Sequence, residues 1–173
     1  MIWLALIVLI LILVIWMFTI ILNHWERSSY YQKALARSRE VNLPLIVIGD
    51  PKKGMSCSLF GAPYGYGDVC IDIDPLETFE PHRVIKVDAT DYLKTQPTGS
   101  AVIFISCVLE YVDRIDELIK ELYRVAGTPQ NLFVVHVKWY SPTAYIYRFQ
   151  GDCAKNVITS APPNNNYINY YRI

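Results

Sequence analysis

The chain has 173 residues, with 16 Lys+Arg balanced against 16 Asp+Glu. That neutrality excludes a protein that gathers nucleic acid through net positive charge. Once the apolar N-terminus is set aside, about 150 residues remain, which is room for one core and not for a second domain. Four widely spaced cysteines, Cys57, Cys70, Cys107 and Cys153, form no CxxC or Cys/His cluster. They read as reduced thiols, and no metal site is expected.

In chain order, residues 3–22 are apolar at every position except Thr19. About 20 helical residues rising 1.5 Å each match a hydrocarbon layer of about 30 Å, so a transmembrane anchor over residues 1–24 is expected, with the lipid bilayer as its partner. The run lacks a basic leader and a small-x-small cleavage site, which argues against a cleaved signal peptide. Positive charge follows the run at Arg27, Lys33, Arg37 and Arg39. This bias puts the N-terminus outside and the C-terminal domain on the cytoplasmic side. Residues 25–42 mix apolar and charged side chains at helical spacing up to Pro44, and read as a juxtamembrane helix or stalk. Its basic residues suit anionic headgroups.

From residue 43 to 173 the pattern is that of an α/β domain. Short β-branched runs at 45–48, 69–73, 83–87, 101–106 and 132–137 are continuously apolar, as strands covered on both faces need to be, so a mainly parallel sheet is expected. Between the last two, Ile115, Leu118, Ile119, Leu122 and Val125 follow helical spacing, with Asp113 as the expected cap and Gly127 and Pro129 as the stop. Asp116 and Lys120 read as an ordinary solvated pair. Residues 141–173 look irregular. A β-like run at 144–149 and the Tyr-rich end at 167–173 suggest either a C-terminal antiparallel hairpin or an arm that docks on a protein partner.

Several stretches resemble the class I S-adenosylmethionine-dependent methyltransferases of the type 11 kind. LIVIGDPKKG and DVCIDIDP are similar to the family's first two strands. VIKVDATDYL is similar to the third strand with its Asp-Ala, AVIFISCVLEYVDRIDELIKELYRVAG to the fourth strand and following helix, and NLFVVHV to the fifth strand. The likeness covers residues 43–140. It implies a reduced Rossmann-like fold and a cofactor site for S-adenosylmethionine. In that site Gly49 forms the turn after strand one, Asp72 meets the ribose hydroxyls, and Asp88 with Ala89 lies beside the adenine. Ligands of open α/β sheets do gather at the carboxyl ends of strands.

The chain departs from the family pattern where the glycine-rich cradle belongs. Val47 stands where the family has an acidic residue, and Pro51 removes a backbone donor from the loop. Lys52 and Lys53 add charge that repels a sulfonium. Only 16 positions separate Asp72 from Asp88, and they include Pro75 and Pro81, so a full crossover helix hardly fits. Glu110 and Tyr111 stand where relatives often place a His, and neither makes a general base by itself. His136 within a strand reads as a core residue. The expectation is therefore a membrane-anchored, methyltransferase-like but non-catalytic structural or assembly module, of the sort that links a membrane to a larger assembly such as a virus particle. No catalytic residue is assigned. The alternative is an active transferase on a membrane-proximal substrate.

Overall fold

A computed structural model describes residues 2–49, 65–73, 84–138, 140, 154–163 and 165–173. One unbroken helix, α1 (Ile2–Val41), contains neither Gly nor Pro over its whole length. It ends at Asn42, whose φ of 52° is left-handed. Leu43 N–H then donates to Ser38 O at 3.1 Å, and Ser38 Oγ donates to Leu43 O at 2.6 Å. Together with Pro44, which cannot continue a helix, this closes α1 and turns the chain straight into the sheet.

Five parallel strands follow: β1 (Leu45–Ile48), β2 (Val69–Asp72), β3 (Val84–Lys86), β4 (Val102–Ser106) and β5 (Leu132–Val135). Their order is β3-β2-β1-β4-β5. The central strand β1 pairs Ile46 with Val69 on one side and with Ile103 on the other. The sequence marks these strands at nearly the same bounds. The one consequential difference is that β5 stops at Val135, leaving His136 just past its carboxyl end.

Side chains alternate across the sheet, so each face has its own cluster. On one face Ile46, Ile48, Ile71, Ile103, Ile105 and Val134 pack under two helices, α2 (Ala89–Lys94) and α3 (Ile115–Ala126), whose Leu93, Leu118, Leu122 and Val125 are fully buried. On the other face Leu45, Val47, Cys70, Val84, Val102, Phe104, Phe133 and Val135 pack under Tyr30, Tyr31 and Ala34 of α1. The Tyr31 and Phe104 rings meet edge-on at 5.7 Å and 76°. The stretch from residue 25 to 42 is thus no free stalk. Its inner stripe is the third layer of the domain.

Other details differ from the sequence reading. Arg114, not Asp113, occupies the cap position of α3 and makes no side-chain cap bond; Asp113 instead takes Lys155 Nζ at 3.1 Å. Asp116 is held by the Tyr170 hydroxyl. The hairpin exists, but its strands are β6 (Asn156–Ser160) and β7 (Asn169–Arg172). The run at 144–149 lies outside the described residues. Ile158 and Ile168 join the α3-side core, and Tyr123 Oη both donates to Asn166 O at 3.1 Å and accepts from Ile168 N–H at 3.2 Å. The C-terminus is therefore docked on its own domain, with Tyr167, Tyr171 and Ile173 left exposed.

Candidate functional site

In a sheet of this order the chain leaves β1 toward β2 on one side and enters β4 on the other, so the carboxyl ends of β1 and β4 flank the crevice where ligands of open α/β sheets collect. Gly49 follows β1 with φ 80°, a left-handed value that favours glycine, and its N–H donates to Ile71 O at 3.1 Å. A Cβ here would overlap the Val108 side chain and stand 2.7 Å from Ser106 O. The close approach that requires glycine is thus to the chain's own β4 exit loop.

The parallel register, with Ile48 opposite Ile71, brings Gly49 beside Asp72. Asp72 ends β2, half-buried, and its carbonyl accepts from Val87 N–H at 3.0 Å. Asp88 is the N-cap of α2: its Oδ1 accepts from Thr90 N–H at 2.8 Å and Asp91 N–H at 3.2 Å, with Arg114 Nη2 at 3.4 Å. Ala89 is the first residue of that helix. The four residues assigned to the cofactor by resemblance therefore do share one end of the sheet, yet the Asp88 carboxylate and the space at Gly49 are committed to internal structure. Pro51, Lys52, Lys53 and Gly54 of the expected cradle, and also Pro75, Pro81, Cys57 and Cys153, lie outside the described residues. Cys70 and Cys107 are free thiols.

The same end of the sheet holds a polar group in which the sequence marks Glu110 and His136 but not Asn23, Glu26 or Lys138. Asn23 of α1 reaches over the strand ends, its Nδ2 donating to His136 O at 3.0 Å while its Oδ1 accepts from Cys107 Sγ at 3.7 Å. Lys138 Nζ pairs with Glu26 Oε2 at 2.6 Å. Glu110 is 2% exposed, and its Oε1 accepts from Val137 N–H. Its Oε2 has no hydrogen bond among the described residues. Burial pushes the Glu110 carboxyl up to about 7, against the opposing pull of its own and the Val137 N–H and of Arg27 and Lys138. Burial, then Lys138, holds the His136 imidazole below its ordinary pKa, with Glu26 opposing. Its Nδ1 is likewise without a hydrogen bond among the described residues.

Beside this group, Glu26 and Tyr30 of α1, His136, and Thr159, Ser160 and Asn165 of the hairpin line a shallow cavity of about 290 Å³. Chemically the edge offers groups that bind and release protons. The Cys107 thiol it presents donates to the Asn23 amide oxygen. The available signal in the sequence was the sharp change from apolar to polar at Asn23 and His24, which marks where contact with the strand ends begins. Comparison with family models, with curated proteins and with solved structures returned no match.

Proposed function

We propose that the chain is a single-pass membrane protein whose cytoplasmic α/β domain is a reduced, methyltransferase-like body used as a structural or assembly module rather than as a catalyst. The observation that carries this reading is the double use of α1. Its first half, from Trp3 to Ile20, turns apolar side chains outward almost throughout, with a stretch long and apolar enough to cross a membrane. Its second half is a layer of the domain core. Cleavage after the apolar run would cut inside this helix next to Asn23 and Glu26, both bound to the strand ends, which favours a retained anchor over a removed signal. The basic residues after the run support the cytoplasmic placement.

Departures from the family's cradle sequence at Val47, Pro51, Lys52 and Lys53 support the non-catalytic half of the proposal. Gly49 accommodates Val108, and Asp88 caps α2. The exposed tyrosines of the docked hairpin, Tyr167 and Tyr171, together with Tyr140, supply contact area for a protein partner.

The test is calorimetric titration of the full chain, held in lipid nanodiscs, with S-adenosylhomocysteine. No detectable heat is expected. Micromolar binding that disappears in Asp72→Ala would overturn the reading in favour of an active transferase, because Asp72 stands beside Gly49 at the carboxyl end of β2. Nanodiscs matter: a fragment starting at Asn42 lacks one layer of the core.

A further inference from the structure

The shared helix also fixes how deep the domain sits. Hydrocarbon of about 30 Å is filled by the apolar run 3–22 at 1.5 Å per residue, so Asn23 stands at its boundary. The interfacial layer beyond, about 5–8 Å thick in each leaflet, then spans only about residues 23–27 of an upright helix. Contact between α1 and the rest of the protein begins no later than this. The buried stripe runs through His24, Ser28, Tyr31, Ala34 and Ser38 at helical spacing. Within the 23–27 window, Asn23 binds His136 O and Cys107, and Glu26 binds Lys138; all three partners lie just past the carboxyl ends of β4 and β5. On the outward side of the same turn Trp25 is 58% exposed, at a level where indoles favour the interface.

We infer that the carboxyl edge of the parallel sheet is seated in the phospholipid headgroup layer, with lipid headgroups as the occupant of that face. The inference rests on the membrane-spanning reading of α1. It turns the end of the sheet at which this architecture receives ligands toward the bilayer, so any small molecule that reaches Gly49 and Asp72 arrives through headgroups. Among the described residues, three basic groups near this edge are matched by acids: Lys138 with Glu26 at 2.6 Å, Lys155 with Asp113 at 3.1 Å, and Arg114 with Asp91 at 3.2 Å. Uncharged phosphocholine vesicles are the probe for this seat, because they test it without help from lipid charge.

The test places the photoreactive residue p-benzoylphenylalanine in the full chain, reconstituted in phosphocholine vesicles, and reads lipid adducts by mass spectrometry. Trp25→p-benzoylphenylalanine reports the span. Asp113→p-benzoylphenylalanine reports the sheet edge, at a side chain 80% exposed in the loop between β4 and α3. Glu40→p-benzoylphenylalanine sits 18 residues beyond Leu22, about 27 Å farther along α1. Lipid adducts at Trp25 and Asp113, lost at Glu40, are expected. Adducts at Trp25 without any at Asp113 would overturn the seat while leaving the span intact. Release of the full chain from carbonate-washed vesicles, with no adduct at Trp25, would overturn both.

Discussion

The two faces of the sheet are covered in different ways. Under α2 and α3 the core is aliphatic, built from Ile, Leu and Val, and its helices are short, local and amphipathic. Under α1 the core is more aromatic, with Tyr30, Tyr31, Phe104 and Phe133, and its cover is the lower half of a helix whose upper half faces outward with apolar side chains. The first face is closed by elements that belong to the domain alone. The second is closed by an element that continues into the apolar N-terminal run, so the core and that run share one helix. Rigid continuity follows, because no Gly, Pro or loop separates the two halves to act as a hinge.

The largest effect should come from removing that shared layer. Deleting residues 1–41 strips Tyr30, Tyr31 and Ala34 from Leu45, Val47, Phe104 and Phe133, and the remainder should fail to fold cooperatively, read as loss of a sigmoidal urea transition and as dye binding to exposed apolar surface. Deleting only residues 1–18 should leave a folded domain, since burial on α1 begins at Thr19. A cooperative transition in the shorter fragment would show that the α1 face is not part of the core.

Next in size, Phe104→Ala should cost about 3–5 kcal/mol, as large as Leu118→Ala on the opposite face at about 2–5 kcal/mol. Both side chains are fully buried, one under α1 and one within α3. Urea midpoints of the two variants, compared in the chain lacking residues 1–18, measure whether the two covers are equally tight. A Phe104→Ala cost under about 1 kcal/mol would mean that α1 lies only loosely on the sheet.

A third effect sits at the junction itself. Glu110 has a folded pKa of about 7, above the ordinary 4.5, so between those values the folded state binds more protons than the unfolded. Stability from this group is therefore present below about 4.5 and is lost as pH rises through about 7, on the order of 3 kcal/mol at 1.36 kcal/mol per unit. His136 works the other way. Its lowered folded pKa gives stability that is present above 6.5 and is lost as pH falls through the folded value. Glu110→Gln keeps an oxygen for Val137 N–H and should remove the first slope alone. Midpoints from pH 5 to 8 should then rise with pH in the variant, and the variant should exceed the unchanged protein most at pH 8.

The same contrast explains what could be read from the sequence. Five apolar runs located the strands, and the spacing from Ile115 to Val125 located α3, because a strand buried on both faces and a helix with one buried stripe leave strong local patterns. The helix over residues 25–41 is legible in the sequence, but its role as a layer of the core is not. A stripe of Tyr31, Ala34 and Ser38 among charges satisfies the description of a solvated stalk, and only the tertiary fold shows the small Ala34 pressed against the sheet. The hairpin partner was also misplaced, since polar Asn156 is buried to bond Leu109 O and Val112 O at 2.9 Å each, a pairing that no period reveals. At the candidate site the Asp-Ala at 88 and 89 was visible, but the same two residues also begin a helix, and sequence alone does not separate the two uses.

Asp88 supplies the smallest and most discriminating measurement. As N-cap of α2 its carboxylate accepts two backbone N–H groups, and Asp88→Ala should cost about 1 kcal/mol, whereas Asp88→Asn, which keeps an acceptor oxygen, should cost only a few tenths. The Arg114 ion pairs add little to this difference because they are exposed. A residue held for a bound adenine would give another pattern, with both substitutions nearly neutral for the free protein and both weakening any stabilisation by S-adenosylhomocysteine. Urea midpoints of the two variants, with and without that ligand, separate the uses. A cost in Asp88→Ala that Asp88→Asn restores, unchanged by ligand, ties this residue to the face of the sheet that the domain closes by itself.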